Sequence, residues 1–373
     1  MPKRPARKNF HVLLINAGQT KKLTAFDTGR YAKFAQPVRF ARQLIQRCKT
    51  NRFINSLSSP PHNKFFKMIS RRNIRVKVMQ TLYTIDTAQD QKDKANRLLD
   101  KHLEQSRQLF VYLLHFIIQV ARYAEKDSHN RSSKHLPTEQ DLNVNIKIAG
   151  NELIWKIMED PSYQKACNDI KPQQWDNADF IRKTYLQLAE TPVYKEYIAL
   201  QERNKKSERN ILEFIFTDLM LANDDFISEM EDIFIHWDDD AEMMNQLILN
   251  FLQKPVHCNF QDMLGAEKRK FANELLNAVI NKEDYCMELI KPKLKNWDAE
   301  RIAVLDMILM RMGVCEFLYF ETIPTKVTIN EYIDLAKAYS TPQSGQFVNG
   351  ILDNIHKDLL AQDKLHKISY KKP

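Results

Sequence analysis

Apolar residues recur every three to four positions along most of the chain after Met68, which is the spacing of amphipathic α-helices. A second, longer helix is predicted from about Leu98 to Glu125. The segment from Ile302 to Phe320 is apolar on nearly every side, which is typical of a central buried helix. The first predicted helix has its apolar face at Ile74, Val78, Leu82 and Ile85. The last begins at Ser344 and has its apolar face at Phe347, Val348, Ile351, Leu352, Ile355 and Leu359. These patterns predict an all-α protein.

Glycine scarcity supports that fold class and excludes several kinds of chemistry. The 373 residues include only 7 glycines, about 2% where ~7% is usual. None of them forms G-x-G-x-x-G or G-x-x-x-x-G-K-[ST], the loops whose backbone approaches nucleotide phosphates. No cofactor is therefore predicted.

The positive charge is concentrated at the start of the chain, which suggests three regions. Residues 1–67 contain fifteen Lys/Arg and one acid, Asp27, whereas the remainder has a balance of −5. We expect residues 1–67 to be a basic extension, either an RNA-binding arm or a mis-assigned leader upstream of a true start at Met68. Residues 68–255 are predicted to form an N-terminal helical subdomain with an insertion, and residues 256–373 a C-terminal subdomain.

Two helix features stand out in the C-terminal region. Thr328-Ile-Asn-Glu331 matches a capping box, in which Thr328 is the N-cap and Glu331 reaches back to it. Val327 and Tyr332 then occupy the positions of a hydrophobic staple. Gly350 lies inside the last predicted helix, where a glycine costs about 1 kcal/mol against alanine, so we expect close packing there.

No catalytic or metal-binding constellation is evident in the sequence. Cys315 lies in the apolar helix and is interpreted as a core residue. His236-Trp-Asp-Asp-Asp240 contains possible metal ligands, but consecutive helical residues point in different directions, so a solvated acidic face is expected. The His257–Cys258 pair lacks a second pair at zinc spacing.

Neither a disulfide framework nor a membrane span is predicted. The 5 cysteines are odd in number and contain no C-x-x-C pair, which favours a reducing compartment. The most apolar run, from Leu109 to Val120, is shorter than the ~20 residues a span requires. We therefore expect a cytoplasmic protein with no membrane partner.

A group of cations in the first predicted helix is the strongest candidate for function. Arg75 follows Arg72 by three positions and Arg71 by four, so the three can cluster on one helix face, with Lys77 nearby. Four cations without a neighbouring acid favour a local phosphate-binding surface. The alternative is that they are ordinary solvated charges.

Several motifs resemble those of the NusB family. Residues 71–83 resemble its opening helix, and Phe271-Ala-x-x-Leu275, Trp297-Asp-Ala-Glu-Arg-Ile302 and Asp306-x-x-Leu-x-Arg311 resemble its later helices. Pro324-Thr-Lys-Val-Thr-Ile-Asn-Glu331 with Leu335-Ala-Lys337, and Ser344-Gly-Gln-Phe-Val-Asn-Gly350, resemble its two signatures in order and spacing. The segment of about 170 residues between the opening helix and these motifs is far longer than the corresponding part of compact members, and is interpreted as a helical insertion.

The resemblance implies a fold and a function. The fold would be a helical bundle of two subdomains, and the function a non-enzymatic one: binding the boxA element of ribosomal RNA transcripts together with the ribosomal protein NusE, within the RNA polymerase elongation complex. By position, Arg71, Arg72, Arg75 and Lys77 would bind RNA. Phe347 would contact a base, while Gln346 stands where a Lys is often found, which removes one cation. Thr328, Asn330, Glu331, Asn349 and Gly350 would be structural.

Two other functions and two roles for the insertion remain open. The protein could be a ribosome-assembly scaffold, or a NusB-like domain attached to an RNA-modifying function, although the few glycines leave no room for a cofactor fold. The insertion is acidic, notably at Asp224–Asp225 and Asp238–Asp240, so we expect it to face away from the cationic helix. It would either dock a basic protein such as NusE or act as a passive buttress.

Overall fold

A computed structural model describes residues 69–88, 92–254, 258–294 and 302–368. The expectations for residues 1–67, the motif residues 297–301 and the Pro255–His257 segment lie outside the described residues. Within them the chain forms helices and turns with no strand, so the all-α prediction is confirmed. No described helix is both long and apolar enough to cross a membrane.

Fifteen α-helices can be followed through the described ranges. They are α1 (Arg71–Ala88), α2 (Ala95–Ser132), α3 (Glu139–Leu142), α4 (Glu152–Glu159), α5 (Pro161–Ile170), α6 (Ala178–Glu190), α7 (Pro192–Ala199), α8 (Lys205–Phe214), α9 (Asp224–Ile233), α10 (Trp237–Gln253), α11 (Ala266–Asn281), α12 (Glu283–Ile290), α13 (Val304–Tyr319), α14 (Thr325–Tyr339) and α15 (Ser344–Ala361). A π-helical turn, Ile215–Met220, extends α8.

Helix α2 packs against helices from early and late parts of the described chain. Its 38 residues span about 57 Å, and it packs against α1, α10 and α11 as well as α5 and α6. It continues beyond the predicted end at Glu125. In this extension Arg131 Nε lies 2.8 Å from Oδ2 of Asp127, which is one helical turn before Arg131. The buried apolar side chains form one continuous cluster, while the division at residue 255 stays a prediction.

The short helices of the predicted insertion begin at side-chain caps. Asn151, Asp160, Asn177 and Asn223 each accept hydrogen bonds from two backbone N–H groups of the following turn. Pro161 and Pro192 occupy the first turns of α5 and α7, where a proline loses no helical hydrogen bond. These local signals explain why a segment without a family signature still forms regular helices.

Helix α13 is the central helix that the sequence predicts. Its residues from Ile308 to Phe317 are all buried, and it packs against α1, α11, α12, α14 and α15. Gly313 allows the close approach of α15, because a Cβ built there would lie 2.9 Å from Leu352 Cδ2.

The predicted capping box is wrong. Helix α14 begins at Thr325, since the N–H groups of Val327 and Thr328 both donate to the Pro324 carbonyl. Thr328 is therefore inside the helix, where its hydroxyl donates to Glu316 Oε1 at 2.7 Å, and Val327 is exposed rather than stapled.

The expectation for Gly350 is also wrong. Gly350 is exposed, and a Cβ there would meet nothing within 4 Å. The close approach in α15 occurs one and a half turns earlier, at the buried Gly345, which lies against Lys337.

Candidate nucleic-acid interface

Helix α1 presents its four cations in two different environments. Its apolar stripe, including Ile74 and Val78, is fully buried against the neighbouring helices. Arg71 and Arg72 lie in the first turn, beside that stripe, and their side chains are 41% and 44% exposed. Arg75 and Lys77 are buried, with residue exposures of 3% and 1%.

Arg75 is held in the interior by an ion pair with α13. Its Nε and Nη2 donate to Glu316 Oε2 and Oε1 at 2.9 and 2.8 Å, a bidentate geometry that fixes the guanidinium plane. The hydroxyls of Thr328 and Tyr332 donate to the same carboxylate. Burial is the largest single effect and lowers the pKa of Arg75, but the hydrogen bond with Glu316 and the electrostatic interactions with Tyr332, Glu316 and Glu331 together outweigh it and raise the pKa.

Lys77 is held in the same way by α10. Its Nζ donates to Asp240 Oδ2 at 2.8 Å, and the same oxygen accepts from Ser106 Oγ at 2.7 Å. One position before, Asp239 accepts from Gln80 of α1. Burial raises the pKa of Asp239 to about 6.

Two histidines complete this buried polar contact between α1, α2 and α10. The rings of His102 and His236 meet edge to face with their centroids 4.7 Å apart. Burial, followed by the neighbouring cations, lowers the pKa of both to about 3, so both are neutral near pH 7.

These contacts correct three expectations. Arg75 and Lys77 do not share a surface with Arg71 and Arg72, because each is buried against a carboxylate from another helix. Asp238–Asp240 is not a solvated acidic face, since Asp240 is 3% exposed and paired. The acidic run does not face away from α1 either, since it packs directly on it.

The two exposed arginines form ion pairs at the surface. Arg71 Nη2 lies 2.8 Å from Glu267 Oε1 at the start of α11, and that glutamate is 70% exposed. Arg72 Nη1 lies 3.5 Å from Asp334 Oδ2 and 3.9 Å from Glu331 Oε2, both on α14. Exposed pairs of this kind contribute about 0–1 kcal/mol, so an incoming phosphate can compete for these arginines.

The other predicted RNA contacts lie in the first turn of α15. Ser344, at its start, donates to Asp306 Oδ2 of α13 at 2.7 Å, which anchors the turn. Gln346 follows and is exposed, whereas Phe347 is partly buried against the core. Helix α15 packs along α14, which also carries the partners of Arg72, so Arg72 and Phe347 flank the same helix.

The predicted structural residues divide into two groups. Thr328 and Glu331 lie beside the buried Arg75 pair, with Glu331 Oε2 3.5 Å from Arg75 Nη1. Asn330 and Asn349 are exposed, so neither belongs to this buried cluster.

The candidates for chemistry in the described ranges are the cysteines and the possible metal ligands. Cys315 is fully buried, as predicted, with its Sγ 3.4 Å from that of Cys286. The described residues contain no group of three or more His, Cys, Asp or Glu side chains arranged to hold a metal ion.

Sequence reasoning missed Glu316 and Asp240 as the anchors of the two buried cations. A signal for Glu316 is present, because it is one of three charged residues, with Asp306 and Arg311, in a helix that is apolar on nearly every side, and a buried carboxylate requires a partner. The same reasoning does not identify Asp240, which stands beside two further aspartates in a run that is typical of a solvated face.

Comparisons with known proteins support the resemblance. The NusB family model matches residues 232–357, a range that includes α10 as well as the C-terminal helices. A transcription antitermination protein NusB of Salinibacter ruber is 43% identical over 99 residues, which cover 26% of this chain and 62% of that protein. The corresponding protein of Desulfatibacillum aliphaticivorans is 42% identical over 98 residues, 26% of this chain and 68% of that protein.

A third relative extends the coverage. The NusB protein of Thermodesulfovibrio yellowstonii is 35% identical over 119 residues, which cover 31% of this chain and 78% of that protein. No solved structure matches the chain.

Proposed function

The chain belongs to the NusB family, and on that premise we propose that it is a transcription antitermination factor that binds boxA-type single-stranded RNA of ribosomal RNA transcripts. NusE is the proposed protein partner, and contact with the RNA polymerase elongation complex would be indirect. Both partners rest on family membership. The activity is binding, with no covalent step.

One observation carries the RNA part of the proposal: Arg71 and Arg72 remain about 40% exposed in surface ion pairs. The helix that pairs with Arg72, α14, packs against α15, whose first turn contains Gln346 and Phe347. Sequence-specific RNA recognition targets unstacked bases, which can rest on aromatic rings or on guanidinium planes. Arginine can also contact phosphate with two parallel N–H groups. The RNA surface proposed here is therefore Arg71, Arg72, Gln346 and Phe347, without Arg75 and Lys77.

The direct test reverses the two exposed charges. We expect the double variant Arg71→Glu/Arg72→Glu to lose boxA-type RNA binding, because it replaces two attractive charges with two repulsive ones. Fluorescence anisotropy with a labelled single-stranded RNA, with and without NusE, measures the affinity. Replacing both by Gln should reduce the slope of log affinity against log salt by about 0.7 for each phosphate that the protein no longer neutralises.

The chain offers a matched control on α6. Arg182 and Lys183 are also adjacent and exposed, but they lie in the insertion. The variant Arg182→Glu/Lys183→Glu changes the net charge equally and should bind RNA like the unaltered protein. Equally weakened binding in both variants, or unchanged binding in the first, would contradict the proposed surface.

A further inference from the structure

The side chain of Lys337 lies flat across the start of α15. A Cβ built on Gly345 would lie 2.7 Å from Lys337 Cγ, 3.1 Å from Cε and 3.4 Å from Cδ, so three methylene positions of the lysine follow the glycine backbone. Long cationic side chains pack their stems in this way while the charged end stays in water. Lys337 itself is exposed.

This placement puts Lys337 between the two parts of the proposed RNA surface. Lys337 follows Asp334 by three positions on α14, so the two share a helix face. Asp334 lies 3.5 Å from Arg72. On the other side, Gly345 directly precedes Gln346 and Phe347.

The start of α15 contributes no positive charge of its own to the proposed RNA surface. Gln346 is neutral, and the first turn of α15 contains no cation. Among the described residues, no ion pair with Lys337 is formed, so its ammonium group keeps its capacity to bind an anion.

We propose that Lys337 provides the phosphate-binding cation at the Gln346 edge of the RNA surface, and that Gly345 positions it by leaving room for its stem. This inference rests on the proposed function. It makes the RNA surface continuous, from Arg71 and Arg72 across Lys337 to Phe347.

The test removes the charge without adding an opposite one. We expect Lys337→Gln to weaken binding of boxA-type RNA about 3- to 10-fold and to reduce the slope against log salt by about 0.7, the change for one phosphate on a single strand. Lys357→Gln is the matched control, because Lys357 is an exposed lysine on α15, about 18 Å beyond Gly345 along the helix. Its affinity and slope should equal those of the unaltered protein.

A second variant tests the role of Gly345. Gly345→Ala should push the stem of Lys337 away and weaken RNA binding, with the helical CD spectrum unchanged. In the Lys337→Gln background the same substitution should have no further effect, since the positioned charge is already gone. An equal weakening in both backgrounds would show that Gly345 does not act through Lys337.

The outcomes separate this inference from the proposed function. Unchanged binding by Lys337→Gln, while Arg71→Glu/Arg72→Glu loses binding, would overturn the role of Lys337 and leave the function standing. Unchanged binding in both would overturn the function itself. A weakening in Lys357→Gln equal to that in Lys337→Gln would also overturn the inference, because net charge alone would then explain the effect.

Discussion

The first and second turns of α1 contain arginines of the same chemistry in opposite environments. Arg71 and Arg72 are about 40% exposed and form ion pairs at the surface with carboxylates of α11 and α14. Arg75, one turn later, is 3% exposed and forms two hydrogen bonds with a carboxylate that is itself fully buried. The difference teaches that the helix packed opposite each turn decides whether a cation binds a ligand or holds the fold together.

The largest expected effect comes from breaking the buried pair. Arg75→Met should lower the free energy of unfolding by about 3–5 kcal/mol, because it leaves the Glu316 carboxylate buried without a cation. Urea denaturation measures the change. Arg71→Met is the matched control on the same helix, and its effect should stay within about 0.5 kcal/mol. Similar destabilisation in both variants would abolish the distinction between the two turns.

The Lys77 pair extends the comparison to α10. Lys77→Met should cost about 3 kcal/mol, since Asp240 would remain buried with only the Ser106 hydrogen bond. Adding Asp240→Asn should restore part of the stability, because the double variant buries no unpaired charge. Thermal or urea unfolding of the two single variants and the double variant provides the cycle. Additive destabilisation would show that the two side chains do not act as a pair.

A smaller effect concerns pH at the same contact. His102 and His236 have folded pKa values of about 3, below the ordinary 6.5, so the unfolded chain takes up protons that the folded protein refuses. Their contribution to stability is complete above pH 6.5 and is lost as the pH falls towards 3. Asp239, with its pKa raised to about 6, acts in the opposite direction between about pH 4 and 6.

The net expectation is a protein that loses about 1 kcal/mol of stability per pH unit between pH 6 and 4, since two histidines outweigh one aspartate. The Nδ1 of His102 lies 3.0 Å from the Oγ1 of Thr81. His102→Asn keeps a hydrogen-bonding group at this position and should flatten the pH dependence. Urea denaturation at pH 6, 5 and 4 measures the free energy of unfolding and its slope with pH. An unchanged slope in the variant would mean that His102 is accessible to protons in the folded state.

Much of the fold could be predicted because it depends on local pattern. The all-round apolar segment became the central helix α13, and the last apolar stripe became α15. The end signals were less reliable: Thr328 and Glu331 satisfy the capping-box spacing, yet the helix begins at Thr325, and the Thr328 hydroxyl donates to Glu316 instead. A side chain with two possible hydrogen-bond partners bonds to the one that tertiary packing brings closer.

The candidate site on α1 could be named from the sequence, but its cations could not be divided into exposed and buried ones. Spacing along α1 groups Arg71, Arg72 and Arg75 because it depends only on helical geometry, and it cannot tell which of them will meet another helix. The acidic run near Asp240 illustrates the same limit. It is separated from Lys77 by more than 160 residues, and the pairing arises only when α10 returns to α1.

The sequence by itself determined the all-α class, the central apolar helix, the first and last apolar stripes and the resemblance to the family, because apolar spacing and the two signature motifs are properties of neighbouring residues. Only the tertiary structure decided which cations stay at the surface, where the acidic run lies and how Lys337 rests on Gly345. Those features depend on contacts between distant residues, and the cost of burying a charge is met only when its partner is brought within hydrogen-bond distance.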